Sequence, residues 1–207
     1  MSYDEFELYS AWRAGNRKSG SILVERYYDS VVRFFRTKVA PSAADDLVQR
    51  TFMVCADSET AFRGEGKFKS YLFGVARRTL LSHFNSKHRQ REDPDFGISS
   101  AFDLAPGPVT VAAGRADQRW LVEALRSIPV EMQITLELFY WQGLAIDELS
   151  VALEIPPGTV KSRLHRGRTL LRHAMEKIPV PDGLTRSVTV LMDEWAAGVH
   201  ALVPESR

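Results

Sequence analysis

The chain has 207 residues, enough for one large domain or two small ones, and its 27 Lys plus Arg against 26 Asp plus Glu give no overall charge that would indicate a nucleic-acid partner. A single cysteine excludes an intrachain disulfide, and no cysteine and histidine pairs stand at the spacing of a zinc site. There is no signal-peptide core at the N-terminus and no apolar run near the length of about 18 residues that a membrane span needs, so we expect a soluble, cytoplasmic protein without membrane insertion.

Apolar residues in the first half recur at the spacing of one helix face, which predicts a succession of helices. The first helix is expected to end in the glycine-containing stretch 15–20, and the second covers about residues 21–39. The third begins after Pro41 and continues to about residue 57, with Met53 among its inward side chains. Cys55 lies in this apolar stretch and is predicted to be a buried small hydrophobe.

A fourth helix, over about residues 68–88, is predicted to be both basic and aromatic. Between residues 61 and 91 the basic residues are opposed only by Glu65, a distribution typical of a surface that binds a polyanion. A solvated basic face is the alternative. Phe73 and Phe84 are predicted to belong to the core, whereas Phe68 and Tyr71 suit either the core or a binding surface.

The segment over residues 91–117 contains recurring prolines and glycines without helical periodicity, which predicts a flexible linker between domains at 1–90 and 118–177. Residues 178–207 return to helical spacing after Pro181 and predict an amphipathic C-terminal helix. This helix is expected to pack on one of the domains, with binding to another protein or self-association as alternatives. The predicted fold class is all-α, with two helical domains.

The most informative segment is PPGTVKSRLHRGR, residues 156–168. Thr159 is expected to cap a helix whose apolar side holds Val160, Leu164 and Leu171. The segment 145–154 before it has its own apolar side, and the turn between the two predicts a helix-turn-helix unit. The exposed side of the second helix is cationic, which suits the major groove of DNA. An ordinary helical hairpin with a solvated basic face is the alternative.

Two sets of motifs make the chain similar to bacterial RNA polymerase sigma factors of the extracytoplasmic-function (ECF) group. The segments ADDLVQRTF (44–52) and YLFGVARR (71–78) resemble the promoter-melting region 2 of that family. The stretch 125–172, with its SIP, LFYWQGLAIDELS and PPGTVKSRLHRGRTLLR segments, resembles region 4. The resemblance implies that residues 1–90 form region 2 and residues 118–177 form region 4, with 178–207 an extension of unknown role.

The resemblance implies a promoter-specificity subunit and not an enzyme. Such a protein binds the clamp helices and flap of core RNA polymerase, recognises the −35 and −10 elements of promoter DNA, assists promoter melting, and is commonly controlled by an anti-sigma factor. No catalytic residue, cofactor or metal site is expected. A free-standing helix-turn-helix transcriptional regulator is the alternative. A DNA-processing enzyme is disfavoured because the adjacent Asp45 and Asp46 would point in different directions on a helix and make a poor metal pair.

The resemblance also assigns residues to each interface. Contacts with the polymerase are expected from Asp45, Asp46 and Gln49. Recognition of the −35 element is expected from Lys161, Ser162, Arg163, His165, Arg166 and Arg168, and Arg163 is also able to turn toward the domain body. Binding of the −10 strand is expected from Arg63, Lys67, Phe68, Lys69, Tyr71, Arg77 and Arg78. The family commonly has other residues at the positions of Arg50, Tyr71 and Arg78, which leaves the −10 sequence preference open.

Overall fold

A computed structural model describes residues 4–57, 62, 66–89 and 116–177, without the side chains of residues 87–89 and 116–120. All regular elements in this part of the chain are α-helices, which confirms the all-α prediction. The N-terminal unit contains α1 (Glu5–Arg13), α2 (Arg17–Arg36), α3 (Pro41–Asp57) and α4 (Phe68–Arg89). The C-terminal unit contains α5 (Ala116–Arg126), α6 (Val130–Tyr140), α7 (Ile146–Leu153) and α8 (Pro157–Lys177). The predicted linker, apart from the start of α5, and the predicted C-terminal helix lie outside the described residues.

Side-chain caps determine where the first two helices begin. The Asp4 carboxylate accepts a hydrogen bond from the Phe6 amide at 3.0 Å at the start of α1. The Asn16 side chain accepts one from the Ser19 amide at 3.2 Å and starts α2 at Arg17. The prediction that α2 begins near residue 21 is therefore wrong, since an asparagine cap operates within the glycine-containing stretch.

The N-terminal unit is built around aromatic side chains. Those buried include Tyr9, Tyr27, Phe34, Phe35, Phe62, Phe68, Phe73 and Phe84. Burial of Phe73, Phe84 and Cys55 was predicted and is confirmed. The prediction that Met53 points inward is wrong, because its side chain is 56% exposed on the outer face of α3.

In the C-terminal unit, α7 and α8 form the predicted helix-turn-helix. Glu154 has φ +57°, the left-handed conformation that the tight turn requires, and the Ser150 hydroxyl donates to the Ile155 carbonyl at 2.6 Å. Helix α8 begins at Pro157, a residue favoured at a first helical position because its missing N–H is not needed there. Thr159 therefore lies inside the first turn, and the prediction that it caps the helix is wrong. The predicted apolar side of α8 is buried and is confirmed.

The two units pack against each other, chiefly through α4 and α7. At one point of this contact, a Cβ atom added to Gly74 of α4 would lie 3.3 Å from the Ala152 carbonyl oxygen of α7. A residue without a side chain at this position lets the two helices come into direct backbone contact. The relative placement of the units is therefore fixed by close packing as well as by polar contacts.

Within the described residues, no helix combines the length and apolar character that a membrane span requires. Nor do histidine, cysteine, aspartate and glutamate side chains of the same residues come together in a group that could hold a metal ion.

Candidate nucleic-acid and polymerase interfaces

The outer side of α3 carries a groove of about 450 Å³, here called the α3 groove. Its lining residues are Asp46, Gln49, Arg50, Met53, Val54 and Asp57. Two of the three residues predicted to contact the polymerase, Asp46 and Gln49, belong to this lining, and the third, Asp45, is exposed beside Arg36 at 3.8 Å. Met53 and Val54 add exposed apolar surface, so the groove offers both polar specificity and area for hydrophobic burial.

The second helix of the helix-turn-helix presents four side chains to the solvent, here called the recognition face. They are Lys161, Ser162, His165 and Arg166, and all four are exposed. Their spacing places them on one side of α8, opposite the buried Val160 and Leu164. The face therefore combines cationic and hydrogen-bonding groups on a helix held rigidly from behind.

Two other arginines predicted to bind the −35 element turn toward the domain body. Arg163 donates to the Glu131 carboxylate of α6 at 3.0 Å. The Arg168 guanidinium donates to the Tyr140 hydroxyl at 2.8 Å and lies 5.6 Å from the centre of that ring. Both side chains are half-buried, so in this conformation they hold α8 against α6.

The basic side of α4 and the residue before it carry Lys67, Lys69, Arg77 and Arg78, here called the basic α4 face. The two predicted aromatic contacts near this face differ in exposure. Phe68 is fully buried among other rings, whereas Tyr71 is half-buried. A buried ring has no face to offer a base, so in this conformation Phe68 supports its neighbours from within the core. Arg63 lies outside the described residues.

Both lysines of the basic α4 face contact the C-terminal unit. Lys67 forms an ion pair with Glu148 at 2.8 Å, and this hydrogen bond raises the pKa of the lysine. Lys69 donates to the backbone carbonyl of Gln142, and burial lowers its pKa. Glu148 also accepts the Ala145 amide at 2.8 Å and so caps α7 at the same time.

The two arginines of the face are paired in the same way. Arg77 makes a two-pronged contact with the Glu131 carboxylate, at 2.7 and 3.2 Å. Arg78 pairs with Glu154, the residue in the left-handed conformation at the helix-turn-helix turn. Every described cation of the basic α4 face therefore has its partner in the C-terminal unit.

A buried ion pair joins the units at a second place. Lys38 and Glu137 have almost no exposed side-chain surface and contact each other directly. The Lys38 ammonium also donates to the Phe34 carbonyl at 2.7 Å and to the Thr37 hydroxyl at 3.0 Å, and Gln133 donates to Glu137 at 2.8 Å. Burial lowers the pKa of Lys38 and raises that of Glu137, and in each case the partner opposes the shift. Nothing in the sequence separates these two charges from ordinary surface residues.

Tyr9 is a second residue that the sequence did not distinguish. Its buried hydroxyl donates to the Cys55 carbonyl at 3.1 Å, lies 3.3 Å from the Tyr71 hydroxyl and accepts the Phe62 amide at 3.4 Å. These contacts connect α1 to α3, to α4 and to the loop before α4. Sequence periodicity identifies Tyr9 as an apolar-face residue but cannot show that its hydroxyl holds the surroundings of Tyr71.

Residues 23–90 match the family described as Sigma-70 region 2, and residues 118–171 match the family described as Sigma-70, region 4. Together these segments cover more than half of the chain. The ECF RNA polymerase sigma-E factor of Haemophilus influenzae is 23% identical over 172 residues, which span 79% of this chain and 91% of the relative. The ECF RNA polymerase sigma-E factor of Escherichia coli is 24% identical over 172 residues, spanning 79% of this chain and 90% of the relative.

Two solved structures share the fold. The sigma factor RpoE of Bartonella quintana, in complex with the anti-sigma factor NepR, is 22% identical with a TM-score of 0.58, and the match covers 79% of this chain and 99% of that one. CnrH, in complex with the cytosolic domain of CnrY, is 16% identical with a TM-score of 0.60, covering 83% of this chain and 97% of that one. With both sigma regions matched in order, the chain belongs to the ECF group of RNA polymerase sigma factors.

Proposed function

We propose that this sigma factor brings core RNA polymerase to promoters through three surfaces: the α3 groove, the recognition face and the basic α4 face. The polymerase makes the RNA, and the chain supplies binding and strand-capture energy without a catalytic group, cofactor or metal of its own. The observation that carries this proposal is the pairing of an exposed cationic helix-turn-helix face with a separate basic face beside an aromatic cluster. A simple duplex-binding regulator requires only the first of these.

The recognition face is proposed to enter the major groove of the −35 element. Arg166 suits a two-pronged contact with a guanine edge, and Lys161, Ser162 and His165 lie beside it on the same side of α8. Arg163 and Arg168 support the helix from the domain body and are available to phosphates only if they leave Glu131 and Tyr140. Base contacts thus come from the exposed set, and the two half-buried arginines position it.

The basic α4 face is proposed to hold the non-template strand of the −10 element. Lys67, Lys69, Arg77 and Arg78 provide charge for the phosphates, and Arg63 precedes them in the chain. Tyr71 is the proposed stacking surface for an unpaired base, with Phe68 supporting it from the core. An unstacked base requires such a surface, because stacking on the protein offsets the free energy that is lost when the base leaves the duplex.

The α3 groove is proposed to dock on the clamp helices of the polymerase. Asp45, Asp46 and Gln49 offer acceptors to basic and polar groups there, which favours specificity and encounter rate. Met53 and Val54 supply the apolar area that such an interface buries at its centre. The C-terminal unit is proposed to contact the flap.

An anti-sigma factor is a further proposed partner, since the similar RpoE was solved in complex with the anti-sigma factor NepR and the similar CnrH in complex with the cytosolic domain of CnrY. The proposed place of action is the cytoplasm, where core polymerase works.

Run-off transcription tests the proposal. Purified core polymerase is assayed on a library of promoter fragments with and without the chain, and we expect defined start sites only when the chain is added. Tight binding to duplex DNA without any polymerase-dependent start would instead support the free-standing regulator.

A further inference from the structure

The first turn of α1 carries an exposed aromatic ring near the start of the basic α4 face. We infer that this ring, Phe6, is a further binding residue for single-stranded DNA, on which a base stacks next to the one proposed for Tyr71. The inference rests on the proposed function only for the identity of the strand, which is the non-template strand of the −10 element.

Exposure separates Phe6 from the other phenylalanines. It is 40% exposed, and it is the only exposed phenylalanine in the part of the chain that the structure describes. Phe62 and Phe68 belong to the same group of rings but are buried, and a buried ring has no face to offer a base. Phe6 therefore combines membership of an aromatic group with a surface that a base can reach.

Phe62 connects Phe6 to Tyr71. The centre of the Phe62 ring lies 5.9 Å from that of Phe6, at an interplanar angle of 70°, and 5.9 Å from that of Tyr71, at 32°. Phe6 and Tyr71 are therefore neighbours of the same buried ring, one on α1 and the other on α4. Proteins that hold single strands stack successive bases on separate aromatic side chains, and two accessible rings joined through a third fit that arrangement.

Polar contacts hold the start of α1 in place. Asp4 accepts a hydrogen bond from the Phe6 amide at 3.0 Å. The Glu5 carboxylate accepts one from the Arg26 guanidinium at 2.9 Å and one from the Tyr27 hydroxyl at 2.5 Å, which ties this turn to α2. The backbone that carries Phe6 is thus fixed before DNA arrives, so binding costs less conformational entropy than it would on a loose segment.

A cation of the basic α4 face lies near this turn. The side chain of Lys67 is 68% exposed, and its pKa is raised by its hydrogen bond to Glu148, by the charge of that carboxylate and, to a smaller extent, by the charge of Glu5. The start of α1 is therefore within electrostatic reach of the Lys67 ammonium. A cation near an exposed ring offers a nucleotide both of its usual contacts, one for the phosphate and one for the base.

The carboxylates next to Phe6 in the chain leave its ring accessible. Asp4 bonds the helix amide and Glu5 pairs with Arg26, so both charges are balanced within the N-terminal unit. Glu7 is exposed, but successive residues of a helix point about 100° apart, so it projects to another side of α1. None of the three stands between the Phe6 ring and the solvent.

A purely structural role for Phe6 makes a different prediction. A cover over Phe62 needs apolar volume, which leucine also supplies, whereas stacking of a base needs a flat ring. Phe6→Leu keeps the apolar bulk and removes the ring, and Phe6→Trp keeps a ring and enlarges it. Tyr28→Leu is the matched control, because Tyr28 is 45% exposed on α2 and lies outside the described ring contacts of Phe62.

The test uses the whole chain and a short fluorescent single-stranded DNA of mixed sequence in which 5-iodouracil replaces thymine. Fluorescence anisotropy gives the affinity of each variant for this probe. Irradiation then crosslinks iodouracil to an aromatic ring stacked on it, and mass spectrometry of the digested complex locates the crosslinked peptide. The midpoint of thermal unfolding shows that each variant is folded.

We expect Phe6→Leu to bind the probe about fivefold more weakly, which is the lower end of what stacking on an aromatic ring contributes, and to lose the crosslink at residue 6. Phe6→Trp should bind at least as tightly as the wild type and keep the crosslink, and Tyr28→Leu should match the wild type. Unchanged affinity in Phe6→Leu, or a wild-type chain without a crosslink at residue 6, would overturn the inference. Equal losses in the leucine and tryptophan variants, or in Phe6→Leu and Tyr28→Leu, would also refute stacking on Phe6.

Run-off transcription keeps this inference separate from the proposed function. A wild-type chain that crosslinks through Phe6 but gives no polymerase-dependent start would contradict the proposed function and leave the stacking residue in place. Start sites that form with the wild type, together with an unchanged DNA affinity of Phe6→Leu, would refute the inference and leave the proposed function in place.

Discussion

The recognition face and the basic α4 face are both cationic, but they differ in their contacts with the rest of the protein. The recognition face lies on α8 with its four side chains in solvent, while Arg163 and Arg168 anchor the helix from behind. The basic α4 face has its described cations bound to oxygens of the other unit. A preformed helix suffices to read duplex DNA, whereas single-strand capture needs a surface that would bind any polyanion if left open. Any strand that binds the basic α4 face must therefore compete with oxygens of the other unit, whereas the recognition face is exposed as it stands.

The largest effect is expected where the two units share a buried charge. Glu137→Ala leaves the Lys38 ammonium buried without its counter-ion, which costs about 3–5 kcal/mol. We expect lower energy transfer between dyes attached to Ser21→Cys in the N-terminal unit and His173→Cys in the C-terminal unit, both exposed positions. We also expect a lower midpoint of thermal unfolding. The double variant Lys38→Met/Glu137→Leu serves as the control, because an apolar pair of similar volume is expected to keep the units together. If Glu137→Ala left both the energy transfer and the unfolding midpoint at their wild-type values, the role of this pair would be contradicted.

The second prediction tests the exposed face. Arg166→Ala is expected to weaken binding to a −35 duplex by about 1–3 kcal/mol if the guanidinium contacts a guanine. Fluorescence anisotropy with the cognate duplex measures the loss, and energy transfer between the units should stay unchanged. Lys177→Ala, at the far end of α8, removes one exposed charge outside the recognition face and should have little effect. Equal losses from both variants would show a general charge effect without base recognition.

A third prediction concerns the support of Tyr71. Tyr9→Phe removes the hydroxyl bound to the Cys55 carbonyl and the Phe62 amide, with an expected cost of about 1–3 kcal/mol for the buried groups left unpaired. Because Tyr9 also holds the surroundings of Tyr71, we expect a lower yield of melted promoter complexes in permanganate footprinting, with −35 duplex binding unchanged. Tyr27→Phe removes another hydroxyl of this unit, one bound to Glu5 at 2.5 Å, and is the matched control. Equal melting defects in both variants would assign the effect to general destabilisation.

The smallest effect is expected at the α3 groove. Met53→Ser removes apolar surface that is 56% exposed in the free chain and should weaken core polymerase binding by about 1 kcal/mol. DNA binding and the packing of the two units should not change, since Met53 belongs to neither of the two DNA faces. Tyr28→Ser removes apolar surface that is 45% exposed on α2 and controls for a nonspecific loss of hydrophobic association. Unaltered polymerase affinity for Met53→Ser would remove the apolar side of the groove from the interface.

Helical periodicity and the PPGTVKSRLHRGR segment predicted the helices, the helix-turn-helix and the exposed side of α8. Two errors arose where a local contact outweighed periodicity: Asn16 starts α2 early, and Pro157 displaces Thr159 from the cap. In the third, Met53 was assigned to the inner side of α3 with its buried neighbour Phe52, although it lies on the solvent-facing side. The pairing of Lys38 with Glu137 and of Arg78 with Glu154 depends on how the units meet, at sequence separations that no local pattern reports. The residues of the basic α4 face could be named from the sequence, but their occupation by the other unit could not.

The most direct test follows energy transfer between dyes on Ser21→Cys and His173→Cys while core polymerase and then promoter DNA are added to the otherwise unaltered chain. The account predicts high transfer in the free chain and a marked drop once the −10 strand is bound in the polymerase complex. The same efficiency before and after formation of the melted complex would contradict it, because α7 would then remain on α4 while the strand is held.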